Sequence, residues 1–94
     1  MSIELASRVR GASVITDKGL IIGRLQDMLI DEKSGHIQML VVSGTIKGLL
    51  ENLPKDESGN HLIPYNLVVS IKDSVVVDEQ GVLLSKAPNN QSKL

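Results

Sequence analysis

The residues able to do chemistry are few. His36 and His61 are the only imidazoles, each at the start of a predicted strand beside a turn. With Asp31, Glu32 or Asp56 they could form a mixed nitrogen and oxygen ligand set for a metal ion. Neither lies in a His-x-His or His-x-x-x-His spacing, so both read more simply as half-exposed strand ends that cap local backbone. The chain has no cysteine, which removes disulfides, thiolate nucleophiles and the common structural zinc sites together. Serine is the remaining nucleophile. Ser13, Ser43 and Ser70 fall inside predicted strands and Ser34, Ser58 and Ser74 in turns. None sits in G-x-S-x-G, and neither histidine has the motif context of a triad base. Asp27 and Asp31 share one strand face about 13 Å apart at a rise of roughly 3.3 Å per residue, beyond the separation of about 10 Å that bounds a glycosidase pair. Turn and register roles suit them better. No catalytic, cofactor-binding or metal-binding residue is therefore expected, and the reading is of a protein that is not an enzyme and takes no cofactor.

Binding to nucleic acid or membrane is not written into the chain either. Ten Lys and Arg stand against 11 Asp and Glu, for a net charge of -1, so no broad field attracts a phosphate backbone. Tyr65 is the single aromatic, and one ring cannot make a base-stacking platform. Arg8, Arg10 and Arg24 are the only arginines and offer at most a small basic patch. No stretch approaches the roughly 20 apolar residues that span a bilayer, and the N-terminal residues lack the apolar core of a secretory signal. A cytoplasmic protein with no direct nucleic-acid contact and no membrane insertion is expected.

The elements that must position these residues are short strands. Leu, Ile and Val supply 32 of 94 residues, a branched aliphatic stock that suits strands. After a lead-in over residues 2 to 10, expected to pack on the domain edge, the chain reads as strands at 12–16, 20–31 and 36–44, joined by turns at 17–19 and 32–35 that carry Gly19 and Gly35. Gly23, inside an apolar strand, marks a bulge or corner where a side chain would collide. Residues 45–60 break the rhythm, with room for one helical turn around 48–53 before Pro54. Strands resume at 61–65, 68–72 and 74–79, and Pro64 makes the first of these an edge or marks a strand end. A last apolar run at 82–85 precedes a polar tail. Six or seven short strands without a crossover helix predict an all-β, six-stranded antiparallel barrel over residues 1–85, with residues 86–94 a disordered tail.

The apolar residues exceed what one small core needs. In strand 36–44, Ile37, Met39 and Val41 read as the inward face, yet Leu40 and Val42 opposite are equally apolar. Strand 20–31 repeats this, with Ile21, Leu25 and Leu29 on one face and Ile22, Met28 and Ile30 on the other. The second face must be covered by a loop, by the run Val82 to Leu84, or by another subunit. Leu29, Leu40, Val42, Val82 and Leu83 are accordingly the expected protein-binding residues, and a homodimer the expected state.

The order of features resembles the PRC-barrel family. The resemblance is carried by Gly11 and Val14, the block Ile22 to Asp27 ending in Ile30 and Asp31, the step Ile63, Pro64, Tyr65, and the hairpin Ile71 to Val77, together covering residues 11 to 79. It implies a small six-stranded barrel. It further implies the stand-alone archaeal class, whose members act as adaptors in cell division, binding other PRC-barrel proteins and the SepF anchor of the FtsZ ring at the division site. The alternative it implies is a ribosome-maturation or RNA-processing adaptor, by the branch of the family that includes a maturation factor.

Overall fold

The computed structural model describes residues 8–44 and 53–85. Six strands run in chain order as β1 (Ser13–Thr16), β2 (Ile21–Ile30), β3 (Ile37–Gly44), β4 (His61–Pro64), β5 (Val68–Ile71) and β6 (Val75–Val77). A 3-10 turn over Tyr65–Leu67 links β4 to β5, and a helix, α1 (Glu79–Leu84), follows β6. The strands form one sheet in the order β4-β3-β2-β1-β6-β5. The six strands anticipated from the residues are therefore present, and β4 both lies at an edge and ends at Pro64.

Three features differ from a closed antiparallel barrel. The sheet is open, with β4 and β5 at its edges. One neighbouring pair is parallel, Val14, Ile15 and Thr16 lying beside Val75, Val76 and Val77. A crossover helix is required only when parallel strands follow one another in the chain. β1 and β6 are separated by four strands, and the meander itself brings the chain back. Finally, the apolar run Val82 to Leu84 belongs to α1 and adds no seventh strand.

That helix has a tertiary origin. Six residues are too few to hold a helix alone, and Asp78 at the N-cap makes no side-chain capping bond. The cap comes from the β1–β2 turn: the Glu79 amide donates to Asp17 Oδ1 at 3.0 Å. Beside it the buried Thr16 hydroxyl donates to Glu79 Oε1 at 2.8 Å and accepts the Lys18 and Leu20 amides at 3.2 and 3.1 Å. Its one donor and two acceptor positions are all used. Val82 inserts into the core, and Gly81 lies so close to Leu67 that a Cβ there would stand 2.5 Å from Leu67 Cδ2.

Bulges decide which side chains reach the core. Between β2 and β3, Leu25 faces Val42 but Asp27 faces Val41, leaving Gln26 as an extra residue on β2; nearer the turn, Gln38 is the extra residue on β3. Against β1, Ile22 is the extra residue on β2. Each bulge reverses the alternation of faces, and β2 consequently buries Ile22, Leu25 and Met28 at every third position. On β3 the slip at Gln38 carries burial from Ile37 to Leu40 and Val42. Val9, Val14, Leu53, Ile63, Val75, Val77 and Val82 complete the core, which confirms that the end of the lead-in packs on the domain. The possible helical turn around 48–53 lies outside the described residues except for buried Leu53, and the tail 86–94 lies outside them entirely.

Candidate interaction surface

The five residues expected to bind a partner divide into two groups. Leu40, Val42 and Val82 are core residues with at most 1% exposure. They present nothing to another molecule, because the bulge at Gln38 turns the even positions of β3 inward and α1 turns Val82 the same way. Leu29 and Leu83 remain on the surface at 44% and 47% exposure. The doubled apolar faces are thus largely resolved inside the chain: Leu40, Val42 and Val82 belong to one buried cluster, and Val41 is buried outside it.

Other apolar side chains are exposed that strand alternation did not single out. They are Leu20 and Ile21 where β2 begins, Val69 on β5, and Leu84 on α1. Val69 has no opposite partner on β6, since Val68 faces Val77 and Ser70 faces Val76, and no residue type in that stretch signals the slip. Leu84 and Leu83 protrude because α1 spends Val82 on the core; read as a strand, the run would have exposed every second residue instead.

The polar candidates have local structural roles. Asp27 Oδ1 accepts the Met28 amide at 2.8 Å and meets Arg10 at 3.5 Å. Asp31 Oδ1 accepts the Lys33 amide at 2.9 Å in the β2–β3 turn, where Gly35 has a φ of 77° that favours glycine. Arg24 donates to the Gly11 carbonyl at 2.9 Å, and Gln26 Nε2 donates to Ser43 Oγ at 3.0 Å. His36 is exposed at the end of the turn and His61 is half-buried in β4, where it pairs with Lys55. Among the described residues no group of three or more His, Asp or Glu side chains is placed to hold a metal ion. Asp56 organises the loop before β4. Its carboxylate accepts the Asn60 and Ser58 amides, both at 2.9 Å, and the Asn60 side-chain amide at 3.3 Å. The Asn60 amide above all holds the Asp56 carboxyl below its usual range.

Gly23 is the most constrained position on β2. A Cβ there would overlap the Ser43 carbonyl oxygen and stand 2.9 Å from Gly44 Cα, so the strands come together only because that position has no side chain. The steric reading of Gly23 from the sequence is correct. The sequence profile of the PRC-barrel domain spans residues 1–84, nearly the whole chain. The chain belongs to the PRC-barrel family. Uncharacterized protein MJ1118 of Methanocaldococcus jannaschii is 45% identical over 72 residues, which cover 74% of this chain and 75% of that one. Membership suggests a small protein-interaction module, and among the described residues the exposed large apolar side chains lie at the ends of β2, on β5 and on α1. No helix among the described residues is long and apolar enough to cross a membrane.

Proposed function

We propose that this PRC-barrel protein is a non-enzymatic interaction module that links other proteins. One observation carries the reading: the buried cluster is complete with Val82 in it, yet among the described residues Leu20, Ile21, Leu29, Val69, Leu83 and Leu84 stay exposed. They lie at the two ends of β2, on the edge strand β5 and on the terminal helix, and membership of the family supports reading them as contacts for a partner.

Within that reading the protein serves as an adaptor in a division assembly of the SepF and FtsZ type, binding further PRC-barrel proteins and acting at the division site. The resemblance supports this role, and the archaeal origin of the relative accords with it. Affinity capture from the native host under crosslinking, with the Leu83→Glu variant as control, tests both levels. Division proteins retained by the wild type and lost by the variant are the expected result. Ribosomal proteins in their place would move the role to ribosome maturation, and no partner that depends on the apolar surface would remove the adaptor reading.

A further inference from the structure

One depression on the surface holds two uncommitted cations. Arg8, Val9, Ile71, Lys72 and Asp73 line an open cleft of about 510 Å³. Its apolar part is the half-buried Ile71, which packs against the core from β5, with Val9 almost wholly buried beside it. Arg8 and Lys72 are exposed. Arg10 is engaged by Asp27 and Arg24 by the Gly11 carbonyl, whereas among the described residues the Arg8 and Lys72 side chains have no hydrogen-bond or ion-pair partner. The Lys72 backbone is held by the β5–β6 turn, its amide donating to the Ser74 carbonyl at 3.0 Å.

We infer that this cleft docks an extended acidic segment of a partner protein, which sets carboxylates against Arg8 and Lys72 and lays an aliphatic side chain on Ile71. The inference rests on the interaction-module reading and names the chemistry of the partner. A polypeptide fits better than a nucleic acid or an anionic membrane. Asp73 in the lining can accept a peptide N–H, and Ile71 offers aliphatic contact without an aromatic ring on which a base would stack. Two cations on a chain of net charge -1 give little of the counterion release that drives nucleic-acid binding. They do supply steering and specificity for carboxylates.

The test uses the whole protein, labelled with nitrogen-15, titrated with a capped peptide of alternating glutamate and leucine. Saturable shifts at Val9, Ile71, Lys72 and Asp73 are expected. They should weaken several-fold as salt rises from about 50 to about 300 mM, because exposed charge pairs are screened. The Arg8→Glu, Lys72→Glu double variant should stay folded and bind about tenfold or more weakly, and an alternating lysine and leucine peptide should not saturate the site. Shifts centred elsewhere, or equal binding by the double variant, overturn the inference. Tighter binding in this cleft by an oligothymidylate or by phosphatidylglycerol vesicles would also overturn it, in favour of a phosphate ligand. Affinity capture with the same double variant separates this claim from the broader one. Partners retained equally by wild type and variant remove the cleft and leave the interaction module standing, while a wild type without specific partners removes both.

Discussion

At the scale of single residues, Leu40 and Leu83 are both leucines in strongly apolar stretches, yet they should respond in opposite ways to a charge. Leu40→Glu places an unpaired carboxylate at a fully buried position, a penalty of about 3 kcal/mol or more against a domain stability of roughly 5 to 15. Loss of chemical-shift dispersion in a proton NMR spectrum is the expected outcome. Leu83→Glu changes a half-exposed site and should move stability by no more than about 0.5 kcal/mol, as read from a urea midpoint. Gly23→Ala should lower that midpoint by the equivalent of about 1 to 3 kcal/mol, since its Cβ meets main-chain atoms of Ser43 and Gly44, which cannot rotate away as a side chain could. Asp56 has a definite pH dependence. Its folded pKa lies below the unfolded value of about 3.9, because the Asn60 and Ser58 amides favour the charged form. Its contribution to stability is complete above the unfolded pKa and is lost as pH falls through the folded one. A carbon-detected titration should place the Asp56 midpoint below about 3.9, and Asp56→Ala should shift the Asn60 amide resonance at neutral pH.

At the scale of elements, α1 depends on a neighbour in space rather than in sequence. Asp17 caps its first amide from the β1–β2 turn, and Thr16 holds the Glu79 carboxylate. Asp17→Ala should therefore cost about 0.5 to 2 kcal/mol, and the loss should be local. Hydrogen exchange should quicken at the Val82 amide, which donates to the Asp78 carbonyl at 3.0 Å, while amides in the β2–β3 ladder keep their protection. Uniform loss of protection would show that α1 and the sheet open as one unit. The bulges at Ile22, Gln26 and Gln38 act on the same scale. They bend β2 and β3 and redirect side chains, so two strands that look apolar on both faces can serve one core.

At the scale of the whole molecule, the open sheet leaves β4 and β5 as edges, and they differ. β4 is backed by the preceding loop, through the Leu62 amide to the Pro54 carbonyl at 2.9 Å and the bridge between Lys55 and His61. β5 carries no proline or charge, and Val69 stands exposed on it, although the slip there spoils a regular ladder. Self-association is accordingly expected through apolar side chains at the ends of β2 and on α1. The wild type should sediment as a dimer at micromolar concentration, and Leu29→Glu together with Leu83→Glu should convert it to a folded monomer. A wild type that is monomeric at high micromolar concentration would assign those side chains to other partners.

Strand positions, turn glycines, the edge proline and the steric role of Gly23 were legible in the sequence, because each depends on local backbone geometry and on the alternation of side chains along a strand. The family was legible for the same reason, its matching residues being mostly structural. The assignment of Leu40, Val42 and Val82 to the core was not legible. A bulge is set by how two distant strands meet, and one extra residue reverses every face beyond it. Nor was α1: its cap comes from Asp17, a contact that exists only once β1 and β6 lie side by side, and the space for Gly81 is bounded by Leu67. The sequence by itself determined which residues form strands and where the chain turns, whereas only the tertiary structure decided which leucines and valines are buried and which stay exposed.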